Sequence, residues 1–206
     1  MLNPPDPIPR FGDRRRMRIG LLGGSFNPAH EGHRHIAELA LRRLRLDQVW
    51  LVVSPGNPLK PHNGMAPFRH RLAGAAQIGD GRRVVATGIE GAFGTRYTVD
   101  TMRVLLRRFP RASFVWIMGA DILVQLPDWL RWTDIVGRLA FVVLPRPRYA
   151  NQALAGQAAH RLRAARRPAR EAPLLPGAAP GWVFLPGRQN AASATAIRQA
   201  AKGTVL

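Results

Sequence analysis

Met17-Arg-Ile-Gly-Leu-Leu-Gly-Gly-Ser-Phe-Asn-Pro-Ala-His-Glu-Gly-His33 is the stretch from which the rest of the chain can be read. Residues 19–22 form a short apolar run suited to a buried strand, and Gly23-Gly24 permits a tight turn and close approach of a ligand. The apolar-periodic segment 34–46 then predicts a helix that starts near Gly32. Strand, glycine turn and helix N-terminus in succession aim free N–H groups and the positive end of the helix dipole at one point. An anion is the natural occupant of that point.

Two imidazoles, His30 and His33, flank the helix start at the spacing H-x-G-H. The zinc-protease pattern H-E-x-x-H fails because Arg34 stands at its second histidine, and the hydrolase elbow G-x-S-x-G fails because Asn27 replaces the last glycine. The Walker pattern and the dinucleotide pattern G-x-G-x-x-G are also missing here.

Working outward, strand and helix signals alternate. Strands are expected at 49–53, 82–89, 113–118, 139–144 and 182–185. The second ends in Ser54-Pro-Gly-Asn-Pro-Leu-Lys-Pro-His62, a loop stiffened by three prolines that carries Lys60 and His62. Pro67 reads as the first position of a helix through Ile78, residues 90–96 as a glycine-punctuated loop, and Thr98 as the cap of a helix carrying Val99, Met102, Leu105 and Leu106. Gly119-Ala-Asp121 is an exit turn, and 150–180 an Ala/Arg helix followed by a proline-rich connection. Ser193-Ala-Thr-Ala-Ile-Arg198 begins a last, hydroxyl-capped helix. The order implies an α/β fold: a Rossmann-like, doubly wound, mostly parallel sheet with helices on both faces. Residues 17–206 form one domain in this reading and residues 1–16 a flexible arm. His30, Lys60, Thr98 and Asp121 follow strands one to four, where ligands of such sheets gather.

At 206 residues the chain can bury a working core. It has no cysteine, which excludes disulfides and thiolate metal sites. It has no apolar run of about 18 residues and no secretory h-region, so a cytoplasmic protein with no membrane contact is expected. The formal charge of +19 invites an RNA-binding reading. Against it, the arginines are scattered, and aromatic-rich RNA-binding strands are missing. Every fixed cation except Lys60 and Lys202 is Arg, which singles out Lys60 as a place that needs a compact ammonium.

Gly-Gly-Ser-Phe-Asn-Pro-Ala-His-Glu-Gly-His33 resembles the loop of the H-x-G-H nucleotidyltransferases, and in particular that of the bacterial nicotinate-nucleotide adenylyltransferases. The resemblance extends along the chain. Asn57-Pro-Leu-Lys60 is similar to the family's Pro-Pro-His-Lys, with Leu59 in place of its His. Arg96-Tyr-Thr-Val-Asp-Thr101 is similar to its Ser-Tyr-Thr stretch, with Arg96 in place of Ser. Gly119-Ala-Asp121 matches Gly-x-Asp, Leu126-Pro-Asp-Trp129 lies where the family stacks a pyridine ring, and Ser193 to Arg198 matches Ser-x-Thr-x-Ile-Arg. Residues 150–180 have no counterpart.

This resemblance implies adenylyl transfer from ATP to nicotinate mononucleotide, a step of NAD biosynthesis. It implies that Gly23, Gly24, Ser25, Phe26, His30, His33, Ser193, Thr195 and Arg198 bind ATP. Tyr97, Thr98 and Trp129 would bind the nicotinate nucleotide, and Asp121 a ribose or the water shell of a metal. His30, His33, Lys60 and Arg198 are the candidate catalytic residues, because charge neutralisation and positioning carry most of a phosphoryl-type transfer. Mg²⁺ would ride on the triphosphate with no dedicated protein site. Arg146 and Arg148 are candidates to touch phosphate, with a solvated pair the preferred reading. The competing readings are the same chemistry on nicotinamide mononucleotide, phosphopantetheine or a sugar phosphate, and, in another class, a basic RNA-binding module. A homo-oligomer is left open.

Overall fold

Side chains alternate between the two faces of a strand, and here both faces are apolar, which is the pattern of a sheet covered on both sides. In the computed structural model, which describes residues 6–56 and 64–187, seven strands form one sheet. They are β1 (Arg18–Gly24), β2 (Gln48–Val53), β3 (Val84–Thr87), β4 (Ser113–Gly119), β5 (Ala140–Leu144), β6 (Arg166–Arg167) and β7 (Trp182–Phe184). Their order is β3-β2-β1-β4-β5-β7-β6, and every pairing among them is parallel. β1 lies between β2 and β4, with Leu22 level with Leu51 and Ile117. The expected doubly wound α/β sheet is therefore present, and its chain order reverses direction between β1 and β4. That is the switch point at which such sheets bind ligands.

The helices are α1 (Glu31–Arg43), α2 (Phe68–Ile78), α3 (Ile89–Phe93), α4 (Thr98–Arg108), α5 (Ala120–Gln125), α6 (Trp132–Arg138), α7 (Ala150–Ala155) and α8 (Gln157–Arg161). Ile19 and Leu21 share a core with Trp50, Val52, Trp116 and Phe141, and with Val99, Met102 and Leu105 of α4. The alternate residues Leu22, Leu51, Val115 and Ile117 share another with Ala37, Ala40 and Leu41 of α1 and Ala75 of α2. An isolated eleven-residue helix is marginal in water. Burying Val99, Met102 and Leu105 at about 2 kcal/mol each is what holds α4 in place.

Local chemistry moves several boundaries. The strand expected at 82–89 shrinks to β3 because the Asp80 carboxylate accepts the N–H groups of Arg82, Arg83 and Val84 at 2.7–2.9 Å, fixing a turn there. Residues expected as a loop at 90–96 form α3 up to Phe93, and Ala120 opens α5 where an exit turn was expected. Pro67 is the N-cap of α2 and not its first helical residue. Thr98 is the first residue of α4, capped at Tyr97 with no side-chain hydrogen bond, so it is not the hydroxyl cap. Segment 150–180 is broken into α7, α8, short 3₁₀ turns and β6.

The N-terminal segment also differs from a free arm over its described part. Asp6 accepts hydrogen bonds from Thr87 Oγ1 at 2.7 Å and from the N–H of Gly88 at 2.7 Å, where β3 passes into α3. Ile8 is buried in the core beside α4, and Arg108 donates to the carbonyl of Arg10. One carboxylate at the start of a helix satisfies N–H groups that would otherwise lack a partner.

Candidate active site

Because the strands are parallel, their exits line one edge of the sheet. The exit of β1 carries His30 and His33, that of β2 Ser54, that of β4 Gly119 and Asp121, and that of β5 Arg146. The turn out of β1 differs in detail from the sequence reading. Gly23 and Gly24 are the last two strand residues, paired with Val52 and Val53. The chain turns at Phe26, whose φ of 48° is left-handed. A bulky residue holds that conformation only when its surroundings compensate. Here the ring is 1% exposed and packs on His33 at 4.8 Å between centroids. Phe26 thus supports His33, and what it offers a nucleotide is backbone. A side chain built at Gly23 would meet nothing within 4 Å among the described residues.

The two histidines form a reciprocal capping box at the start of α1. His30 Nδ1 accepts the N–H of Gly32 at 3.1 Å, and His33 Nδ1 accepts the N–H of His30 at 3.3 Å. The rings lie 3.9 Å apart. An Nδ1 that accepts carries no proton, so each neutral ring is the Nε2–H tautomer. Burial lowers the pKa of His33 to about 3, helped by the His30 ring and the Arg146 guanidinium. Burial, then Arg146, also lowers that of His30. At neutral pH His33 is an uncharged Nε2–H donor at a helix N-terminus, next to a fixed cation.

That cation is Arg146, which the sequence reading left to solvent. Its Nε lies 3.3 Å from Asp121 Oδ1, so the exits of β4 and β5 are joined by an ion pair. Asp121 Oδ1 is buried with no hydrogen-bond partner among the described residues. Gly119 is required beneath the pair, since a methyl there would overlap both Asp121 Oδ1 and Arg146 Nε. Arg148, two residues on, is exposed.

Of the residues that the resemblance assigns to the nicotinate nucleotide, Tyr97 is 40% exposed and Thr98 is part-buried at the start of α4. Trp129 is half-buried against Trp116 at 5.4 Å, and its indole Nε1–H is buried with no partner among the described residues. Thr101 Oγ1 lies 3.1 Å from Glu90 Oε1 and 2.8 Å from Thr95 Oγ1, and the Ser54 hydroxyl also bonds Glu90. Burial pushes the Glu90 carboxyl up, against these hydrogen bonds.

Of the residues singled out in the sequence, His30, His33, Gly23, Gly24, Ser25, Tyr97, Thr98 and Asp121 stand at strand ends or helix starts on the edge just described, and Trp129 follows the 3₁₀ turn Leu126–Asp128, packed on Trp116 of β4. Lys60, His62, Ser193, Thr195 and Arg198 lie outside the described residues. Sequence reasoning preferred solvent to phosphate for Arg146, and it missed Glu90 and Arg71. Arg71 alone left a signal: it interrupts the apolar face Phe68, Leu72, Ala75, Ile78 at helical spacing. Among the described residues no group of three or more His, Asp or Glu side chains is placed to hold a metal, and no helix is long and apolar enough to cross a membrane.

The chain is similar to known proteins over nearly its whole length. The cytidylyltransferase-like family model matches residues 21–200. A protein of Gluconacetobacter diazotrophicus named "probable nicotinate-nucleotide adenylyltransferase" is 58% identical over 195 residues, 94% of this chain and 91% of that one. One of the same name from Gluconobacter oxydans is 59% identical over 184 residues, 89% and 94% of the two chains. Among solved structures, Plasmodium falciparum nicotinic acid mononucleotide adenylyltransferase complexed with NaAD superposes with a TM-score of 0.66 at 16% identity, covering 89% of this chain and 83% of that one. At that identity the structural likeness speaks for the fold.

Proposed function

The chain belongs to the cytidylyltransferase-like family, in its nicotinate-nucleotide adenylyltransferase branch, and on that premise we propose that it transfers the adenylyl group of ATP to nicotinate mononucleotide. A phosphate oxygen of the mononucleotide attacks the α-phosphorus, the bond from that phosphorus to the bridging oxygen breaks, and pyrophosphate leaves with the electron pair. The product is nicotinate adenine dinucleotide. Nucleophile, centre and leaving group are all anionic, so the protein's task is to hold them in line and offset charge.

The observation that carries this reading is the histidine capping box. Both Nδ1 atoms are engaged by backbone N–H groups, which leaves two Nε2–H donors for phosphate oxygens at the positive end of α1. Arg146 beside them supplies a full charge, and Asp121 keeps its guanidinium in place. Ser25 and the backbone at Gly23, Gly24 and Phe26 would complete the phosphate cradle, with Lys60, Ser193, Thr195 and Arg198 contributed by the remainder of the chain. Tyr97, Thr98 and Trp129 would bind the pyridine nucleotide. The Asp121 carboxylate at this edge is already paired with Arg146, and among the described residues no cluster of three carboxylate or imidazole ligands stands beside it, a donor set that fits a metal held mainly by phosphate and water. Mg²⁺ bound in that way would offset the triphosphate charge. A cytoplasmic location follows for an enzyme that consumes ATP.

The test is pyrophosphate release from ATP with each of four acceptors: nicotinate mononucleotide, nicotinamide mononucleotide, phosphopantetheine and a sugar phosphate. Preference for the pyridine acid is expected, and preference for any other acceptor refutes the assignment. Trp129→Ala should mainly raise the acceptor's KM. A selective loss of ATP affinity would remove Trp129 from the acceptor site.

A further inference from the structure

Arg71 belongs to the apolar face of α2 by its spacing, yet it carries a guanidinium, and it is 3% exposed. Its guanidinium lies 5.5 Å from the centre of the Phe68 ring, and its described hydrogen-bond acceptors are all main-chain carbonyls. Nε donates to Ala66 O at 3.0 Å, one terminal nitrogen to Ser25 O at 2.7 Å and Ser54 O at 2.8 Å, and the other to Pro55 O at 3.0 Å. Ser25 follows β1, Ser54 and Pro55 follow β2, and Ala66 precedes α2. These three segments meet only at the edge of the sheet that holds the histidines.

We propose that Arg71 is a positioning residue of the nucleotide site, a buried fork that clamps the exits of β1 and β2 together and so fixes the turn that presents His30 and His33. The proposal rests on the adenylyltransferase reading for the identity of the nucleotide. Three observations bear it. In a trans peptide the C=O and N–H point opposite ways, so capture of Ser25 O by Arg71 directs the N–H of Phe26 away from α2. Phe26 is the left-handed residue of that turn, and a strained conformation persists only where its neighbours over-determine it. Ser54 is held from every side: its N–H donates to Gly24 O at 2.9 Å, its carbonyl accepts from Arg71, and its hydroxyl bonds Glu90.

The planar fork matters more than the charge. Four carbonyls lie at separate positions around one plane, which a guanidinium matches and an ammonium, with three tetrahedral donors, does not. An aliphatic side chain would fill the space and leave four acceptors without donors. Arg71 makes no direct hydrogen bond to Tyr97 or Trp129, and its described route to Tyr97 runs through Ser54, Glu90 and Thr101, so its removal should fall chiefly on ATP.

The experiment compares the full-length protein with Arg71→Lys. We expect kcat/KM for ATP to fall by about 10- to 100-fold, as a misplacement of about 1 Å does. KM for nicotinate mononucleotide should change by less than about threefold. Equal losses for both substrates, or a lowered melting temperature with kcat/KM for ATP unchanged, would make Arg71 a stability residue only and overturn the proposal. Amide exchange on the unmodified protein decides the matter even if the variant fails to fold. The Ser54 amide, whose N–H donates to Gly24 O between the two clamped exits, should be as protected without nucleotide as strands β1 and β2 are, and exchange at exposed-loop rates until ATP is added would refute a preset clamp. If the unmodified enzyme releases no pyrophosphate, the functional reading fails, and the exchange measurement still judges the clamp.

Discussion

Acid should destabilise this protein through one imidazole in particular. His33 titrates at about 3 in the folded chain against an ordinary 6.5, with burial as the main cause. For a group whose folded pKa is depressed, stability is fully present above the unfolded value and is lost as pH falls, here across the window from 6.5 towards 3. At 1.36 kcal/mol for each tenfold in proton affinity, the full difference is about 5 kcal/mol. The ring is part-exposed, and solvent screening reduces the working figure to about 2 kcal/mol. The perturbation is His33→Gln, because Gln at that position of a capping box can still reach back to the His30 N–H without binding a proton. Urea unfolding followed by tryptophan fluorescence at pH 7 and pH 4 measures the effect. The unmodified protein should lose about 2 kcal/mol more than the variant between the two pH values, since every other acid-sensitive group is common to both. Parallel losses would mean that His33 titrates normally in the fold and that its neutral Nε2–H role is wrong.

Three shorter predictions concern the surrounding shell. Gly119→Ala puts a methyl into the space of the Asp121 carboxylate and the Arg146 guanidinium, both ends of flexible side chains. Thermal unfolding should therefore move little while kcat falls by about tenfold or more, and unchanged turnover would argue that the Asp121–Arg146 pair has no part in the reaction. Asp6→Ala removes the acceptor of the Thr87 hydroxyl and the Gly88 N–H and should cost about 2 kcal/mol in denaturant unfolding, whereas a freely moving arm would show no cost. Glu90 has a raised folded pKa, so its contribution to stability is present in acid and lost as pH rises through that value. Glu90→Gln should accordingly gain stability over the unmodified protein at pH 7 relative to pH 4, and an equal difference at both would show that the carboxyl titrates normally.

The alternation of strand and helix signals was legible because it needs only local information. Apolar runs at 49–53 and 113–118 lie within their strands, and the helix expected after Gly32 is present as α1, with Ala37, Ala40 and Leu41 on its buried face. Boundaries failed where a side chain from elsewhere intervened. Asp80 pulled Arg82 and Arg83 out of β3, and Asp6, some eighty residues away in sequence, capped the start of α3. The turn out of β1 was placed on the glycines, yet the left-handed position fell to Phe26, because burial against His33 compensates a conformation that propensity alone assigns to glycine.

The sequence by itself determined the setting of the H-x-G-H loop, since a strand before it and a helix after it form a contiguous pattern legible from adjacent residues. It also determined the wound parallel sheet, through repeated periodicity. Only the tertiary structure decided which distant charges join that loop. Arg146 reached the histidines and Asp121, and Arg71 was buried among carbonyls. The physical reason is that an arginine exposed on a loop and one fixed in a site have the same letter and the same local pattern. What separates them is the set of strand exits that a parallel sheet brings to one edge.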